Sequence, residues 1–511
     1  MRRSTNPSDV GKLDATDSID GAAYQSAASR YRLAKTLGVF AIMASAVSQE
    51  YGSGINFVLT KSLVPYPGIG SLVPWAMLVA GLFLLPNVIM FSRFAAVMPR
   101  AGSTYVWLTR SVGMPVGFVV AFLWFVGVVA AMGFLAFSFP TFVQDFLTTA
   151  GMSTQWPVST TGHLVLGLAL IWAVFLLHYS GIKNYGRIIV ALFFFVLFAA
   201  LATMYYGFST SHQTFLAAVT QHTGQTLAPS AIHGSTHFLS VVTLFVFSYG
   251  GLAAATSLGG EARNATRSIG RGVWLAWGVA LVLYTLVSFA LFHVVPAWAV
   301  PGLAASGHSS LATTPGLISL IAPKAIGLII DAVVVIIIAK TVAPEMLDCS
   351  RYLFAWSQDR VMPSALLHTN RHKAPDVALL VSAILGSLFL AEATFYGFEI
   401  GVVIRSLSLV LVFGVLGVGV LNLRFNPRMA GLPWARVVSG RVSVIIAAVA
   451  GIVIAIALER SVLVVPGQSL WLQPSVQALI ALLIASCLYL AARRRTARSG
   501  FPLTAGEPPE E

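Results

Sequence analysis

Apolar runs long enough to cross a bilayer recur along almost the whole chain, and this repetition excludes most folds. A span needs about 20 mainly apolar residues in helix, because hydrocarbon offers no partner to free backbone groups. Such runs lie near 36–60, 70–97, 113–141, 163–181, 188–208, 238–260, 272–296, 326–350, 376–394, 400–423, 441–459 and 474–492. They predict an all-α polytopic membrane protein of about twelve transmembrane helices. Of the 511 residues, 57% are hydrophobic and 10% charged, whereas soluble domains carry roughly 25% charged residues. Polar stretches are short except at the two ends, so the chain reads as one membrane domain with two tails, 1–35 and 493–511.

A formal net charge of +13 can serve nucleic acid, anionic lipid or membrane topology. Its placement decides. Lys and Arg cluster in Arg2–Lys35, Arg93–Arg110, Lys183 and Arg187, Arg263–Arg271, Arg351–Lys373, Arg424–Arg441 and Arg493–Arg498, which are alternate connections. The intervening connections hold only Lys61, Lys324 and Arg460. This bias puts the basic loops and both termini in the cytoplasm of a cell membrane, with no call for nucleic acid. Asp9, Asp14, Asp17 and Asp20 stand where a cleavable signal peptide would need an apolar core. Cys349 and Cys487 have no metal or redox spacing. Without an HExxH, GxSxG, CxxC or Walker pattern, neither an enzyme, a cofactor nor a metal site is expected.

Two spans are interrupted by glycine: Gly52-Ser53-Gly54 in the first and Tyr249-Gly250-Gly251 in the sixth. Glycine weakens a helix, and a single such site suits ordinary close packing between membrane helices. A matched pair in corresponding spans of two five-helix halves, 36–208 and 238–423, is the trace expected of an inverted repeat with discontinuous helices around a central site. Residues 441–492 then supply two extra helices. A half-helix N-terminus offers unpaired N–H groups and a positive dipole end to a carboxylate, while freed carbonyls suit an ammonium or cation. A zwitterionic amino acid fits both.

Four stretches resemble the amino acid, polyamine and organocation transporter superfamily over roughly residues 36–425. They are Gly52-Ser53-Gly54-Ile55; Met98-Pro99-Arg100-Ala101-Gly102-Ser103-Thr104-Tyr105-Val106-Trp107-Leu108 followed by Gly117-Phe118; Phe247-Ser248-Tyr249-Gly250-Gly251 running into Gly260-Glu261-Ala262-Arg263-Asn264; and Ser350–Pro363. The resemblance implies a five-plus-five inverted repeat plus two helices, and secondary transport of amino acids or related amines by alternating access. It implies that the backbone of Gly52, Ser53 and Gly54 holds a substrate carboxylate, that the break at Tyr249, Gly250 and Gly251 serves the amino group, and that Phe247 covers the substrate. An ordinary packed aromatic would fit the Phe247 position equally well.

The chain departs from the family in two places. The acid that many relatives carry after the sixth-helix glycine is replaced by Gly251-Leu252-Ala253, and Glu50 and Tyr51 occupy positions that are usually apolar. A carboxylate near the bilayer centre costs about 2.5–3.5 kcal/mol, so it is a functional candidate by default. Lys340 and Thr341 fall where sodium-coupled relatives place small hydroxyl residues, so the Lys340 ammonium could stand in for the ion. The fifth-helix stretch 191–197, where some proton-coupled relatives carry a lysine, is wholly apolar. Glu50 and Lys340 are therefore expected to approach each other between the first and eighth spans, as a proton-responsive pair or as a permanent structural ion pair.

Asp331 and Arg405 are expected near helix ends, solvated or paired, and Glu345 and Asp348 along the cytoplasmic path. Arg93, Arg100, Arg110, Arg263, Arg267 and Arg271 are candidates for cytoplasmic gate pairs, for instance with Glu261. His212, His222, His233 and His237 share one connection with irregular spacing, which suits a solvated loop better than a metal or pH sensor. The leading expectation is a proton-coupled or exchanging amino acid permease. A polyamine or cationic amino acid carrier, with Glu50 on a second ammonium, and a transporter-like sensor or channel are the alternatives.

Overall fold

The computed structural model describes residues 35–227, 237–308, 311–397, 399–462, 469–498 and 503. The tail 1–34, His233 and most of the C-terminal tail lie outside the described residues. The described chain is helical throughout, apart from a single-residue pairing of Leu37 with Ala262. Among the described residues, ten helical stretches are long and apolar enough to cross a membrane: Pro67–Val97, which is kinked at Gly70, Met114–Thr149, Thr160–Tyr179, Ile182–Ser209, Ala265–Val294, Lys324–Gln358, Asp376–Tyr396, Gly401–Phe425, Val442–Ser461 and Pro474–Arg498. The two runs absent from that series are the glycine-interrupted first and sixth. They fold as Val39–Glu50 followed by Gly54–Val58 and Leu59–Lys61, and as Phe238–Val246, Phe247–Tyr249 and Gly251–Ser257. These ten stretches and the two broken spans account for the twelve apolar runs.

The third span, Met114–Thr149, is the axis of the bundle, with 89% of its most apolar window buried, against 28% for the fourth and twelfth spans. The outer spans turn Phe194, Leu201, Tyr205, Leu388 and Ile446 outward, as helices bathed in lipid do. Several helices run past their apolar windows. The eighth extends to Gln358, beyond the hydrophobic run ending near 350, because its last turns are buried by neighbours instead of facing water. The connection carrying the histidines contains the helix His212–Thr223, with His212 Nδ1 against the Val294 carbonyl at 2.8 Å, while the His237 ring packs at a tilt against Tyr66.

The signature after the second span builds a short buried helix, Ser103–Ser111, which packs on the third and tenth spans. Gly102 precedes it with φ 78°, a left-handed conformation that L side chains avoid, and a Cβ there would collide with Ala355. Gly117 allows an equally close approach, since a Cβ would come 2.5 Å from the Thr109 nitrogen. The Trp107 indole closes the turn by donating to the Met98 carbonyl at 2.9 Å.

Candidate functional site

In the first span the helix ends at Glu50, where Tyr51 leaves helical geometry with φ −77° and ψ 76°. The last carbonyls of any helix lack intrahelical donors. Here they receive the eighth span: Lys340 Nζ donates to the Ser48 carbonyl at 2.7 Å and to the Tyr51 carbonyl at 3.4 Å, and Thr341 Oγ1 to Ser48 at 3.3 Å. A cation at a helix C-terminus is favoured by the dipole. The second half resumes at Gly54, and Asn56 steadies the turn by donating its side-chain amide to the Gly52 carbonyl at 2.9 Å. Ser53, Gly54 and Ile55 therefore head a new helix, where backbone N–H groups have no helical acceptor.

The sixth span narrows to a tight turn over Phe247–Tyr249 and restarts at Gly251. Tyr284 of the seventh span donates its hydroxyl to the Ser248 carbonyl at 3.0 Å, which holds the break open. Tyr249, expected at the substrate, turns behind the break instead: its hydroxyl donates to the Met77 carbonyl at 3.2 Å, and its ring packs on Tyr284. Phe247 faces forward, edge-on to Phe134, which also meets Phe57 of the first span.

The two breaks touch. A Cβ at Gly54 would lie 2.7 Å from Ser248 Cβ and 2.9 Å from Ser248 Cα, and one at Gly52 would lie 2.5 Å from Thr341 Oγ1. Gly251 fits flush against the first span, where a Cβ would strike the Ala46 carbonyl and come 2.8 Å from Glu50 Cγ. Among the described residues, the buried hydroxyls of Ser53 and Ser248 have no hydrogen-bond partner. This leaves two small polar groups and the head of a half-helix at one point, roofed by Phe247.

The expected approach of Glu50 to Lys340 does not occur: among the described residues no ion pair joins them. Lys340 is turned to the first-span carbonyls, while the Glu50 carboxylate faces the other way, beside the Leu252 amide and toward Tyr249 and Tyr284, without a well-formed hydrogen bond. The cause is helical spacing, because Ser48 and Tyr51 present carbonyls to the eighth span on the side opposite the Glu50 side chain.

Arg405 departs further from expectation. It is not at a solvated helix end but 1% exposed, with its guanidinium 4.1 Å from the centre of a Trp124 ring and 3.2 Å from where a Gly250 Cβ would stand. Its nearest acid is Glu345, at 3.8 Å. An arginine set in a run of valine and leucine was the available signal, and it called for the same default given to Glu50. Asp331 is also buried, bonded by Thr149 Oγ1 at 2.6 Å and Ser319 Oγ at 2.8 Å.

Further along the eighth span the packing closes. Arg351 pairs with Glu261 in a buried ion pair, Nε to Oε2 at 3.3 Å, in place of the loop arginines considered for Glu261. Of those arginines, Arg110 reaches Asp359 in an ion pair at 3.2 Å. The Glu261 carbonyl accepts the Thr36 and Leu37 amides, each at 2.9 Å, and Arg263 N–H donates to the Leu37 carbonyl at 2.7 Å.

Twelve apolar segments, two of them broken at facing glycines, define a multi-pass membrane carrier scaffold. The amino acid permease family matches residues 35–487, and the chain belongs to that family. It is 25% identical over 379 residues to the branched-chain amino acid permease BcaP of Bacillus subtilis (strain 168), covering 70% of this chain and 75% of the relative. The branched-chain amino acid permease BcaP of Lactococcus lactis subsp. cremoris (strain MG1363) is 23% identical over 371 residues, 66% and 75% of the two chains. The glutamate/serine transporter AimA of Bacillus subtilis (strain 168) is 23% identical over 380 residues, 70% and 66%.

Proposed function

We propose that this chain is a secondary active carrier that moves an amino acid across the cell membrane by alternating access, coupled to protons or to exchange. The observation that carries this is the meeting of the two breaks at Gly54 and Ser248. The substrate carboxylate takes the break at Gly52, Ser53 and Gly54, with the N–H groups of Ser53 and Gly54 as donors, the break at Tyr249, Gly250 and Gly251 serves the ammonium, and Phe247 lies over both. Lys340 and Thr341 occupy the place of a coupling cation on the first-span carbonyls, and Glu50 is the second coupling candidate. Residues 36–208 and 238–423 act as inverted repeats, with 441–492 outside them and both termini in the cytoplasm. Because two relatives carry branched-chain permease names, an aliphatic amino acid is the first substrate to test.

A thermal-shift screen of purified protein with all common amino acids and polyamines tests this, since a ligand that binds the folded state stabilises it. Hits then go to proteoliposome uptake with and without a pH gradient. A neutral amino acid that stabilises the protein and undergoes counterflow supports the carrier. Binding without flux identifies a sensor and non-saturable flux a channel, and either overturns it. A response to polyamines or arginine alone moves the substrate to the cationic class, with Glu50 as its anchor.

A further inference from the structure

Below Lys340 and Thr341, the eighth span presents Glu345, Asp348 and Arg351 at intervals of about one turn. Positions three and four apart share a helix face. Arg351 is engaged by Glu261, so the two carboxyls depend on one further cation, Arg405 from the tenth span. Its Nη2 is 3.8 Å from Glu345 Oε2. Its guanidinium lies over Trp124, whose indole donates to Asp348 Oδ2 at 3.2 Å. Arg405, Glu345 and Asp348 are 1%, 4% and 1% exposed. Among the described residues, Arg405 Nη1 and Nη2, Glu345 Oε2 and Asp348 Oδ1 have no hydrogen-bond partner.

The groups facing this cluster are Gln49 from the first span, Trp124 from the third, Ser257 from the sixth, Cys349, Arg351 and Tyr352 from the eighth, and Arg405. Glu50 faces Tyr249 and Tyr284 instead. Two carboxylates against one guanidinium leave one negative charge unbalanced where water is excluded, and an unpaired buried charge is strongly disfavoured. A single proton shared by the two acids removes that excess, and it belongs to the pair more than to either residue.

We propose that Glu345 and Asp348 form a shared proton-carrying site with Arg405 as its fixed counter-charge. The site rests on the carrier function above and adds its coupling group. A proton from water on one side bonds to a carboxylate oxygen of the pair and returns to water on the other side once the Arg351–Glu261 closure parts. Arg405 links this to substrate because its guanidinium lies against the sixth-span break, 3.2 Å from where a Gly250 Cβ would stand. Movement of that break on binding shifts the guanidinium and changes whether the pair holds its proton.

The test uses purified full-length protein and the amino acid that gives counterflow. Protons bound on substrate addition are read with a pH dye in weak buffer, and proton-to-substrate ratios are read in proteoliposomes. Wild type should move about one proton per substrate. Glu345→Gln and Asp348→Asn should each lower the ratio at least fivefold while counterflow remains measurable, and Glu392→Gln, another intramembrane acid, should leave the ratio unchanged. The proposal is overturned if wild type exchanges substrate without moving protons, or if either carboxamide variant that folds keeps the wild-type ratio. Absence of counterflow in wild type would instead remove the carrier function itself.

Discussion

Lys340 of the eighth span donates its Nζ to the Ser48 carbonyl at 2.7 Å, so a side chain of the eighth span caps the broken end of the first half-helix. Removing that donor leaves the Tyr51 carbonyl without a side-chain partner and the Ser48 carbonyl with the longer Thr341 contact alone, in a region that excludes water. Lys340→Ala should lower pH-driven uptake at least tenfold while the substrate still raises the melting temperature. Unchanged pH dependence of uptake would remove Lys340 from coupling.

Gly54→Ala should abolish substrate binding, because the added methyl would press on the main chain of Ser248 and leave no room between the breaks. Gly52→Val should do the same by collision with Thr341. A loss of at least tenfold in affinity, about 1.4 kcal/mol, is expected by thermal shift in both. Wild-type affinity in folded Gly52→Val would end the carboxylate assignment.

Arg351→Ala breaks a buried ion pair, and stranding one partner costs about 3–5 kcal/mol. The conformation with this side closed should lose population. Cys349, buried two residues earlier on the same helix, reports it. In a Cys487→Ser background, a polar maleimide should label Cys349 much faster in Arg351→Ala than in the parent, and equal rates would show that the pair does not hold the closure.

Phe247→Ala should raise KM for the substrate about tenfold, and Phe247→Tyr should restore most of it, because the ring's edge-on contact with Phe134 survives in tyrosine. A residue that only packs would change expression or melting temperature and leave KM unaltered in radiolabelled uptake.

Gly102→Ala should destabilise the fold by roughly 1–2 kcal/mol from its left-handed backbone alone, with the Ala355 collision added. Intrinsic fluorescence on heating measures this. A melting temperature equal to wild type would mean the turn relaxes without penalty.

The twelve segments were legible because a bilayer enforces length and apolarity on each helix separately, and the two breaks because glycine stands out in such runs. What stayed hidden depends on rotation and on partners. Arg405 lies in the first turns of the tenth span, and nothing local tells whether that helix turns it to water, to lipid or onto Trp124. Glu261 could be placed near a cluster of arginines, yet its partner, Arg351, comes from a span ninety residues away in sequence. Glu50 and Lys340 were rightly placed on adjoining helices, but one residue of helical phase separates a lysine facing carbonyls from one facing a carboxylate.

The pairing of Thr36 and Leu37 with Glu261 and Arg263 is made by main-chain atoms alone. Side-chain exchange at these positions therefore leaves its donors and acceptors in place, proline excepted, so the latch is insensitive to sequence drift. The same fact makes it mechanical. Residues 36 and 37 are fastened directly to the exit of the sixth span, so a shift at the start of the first span bears on the Arg351–Glu261 ion pair through the main chain of Glu261.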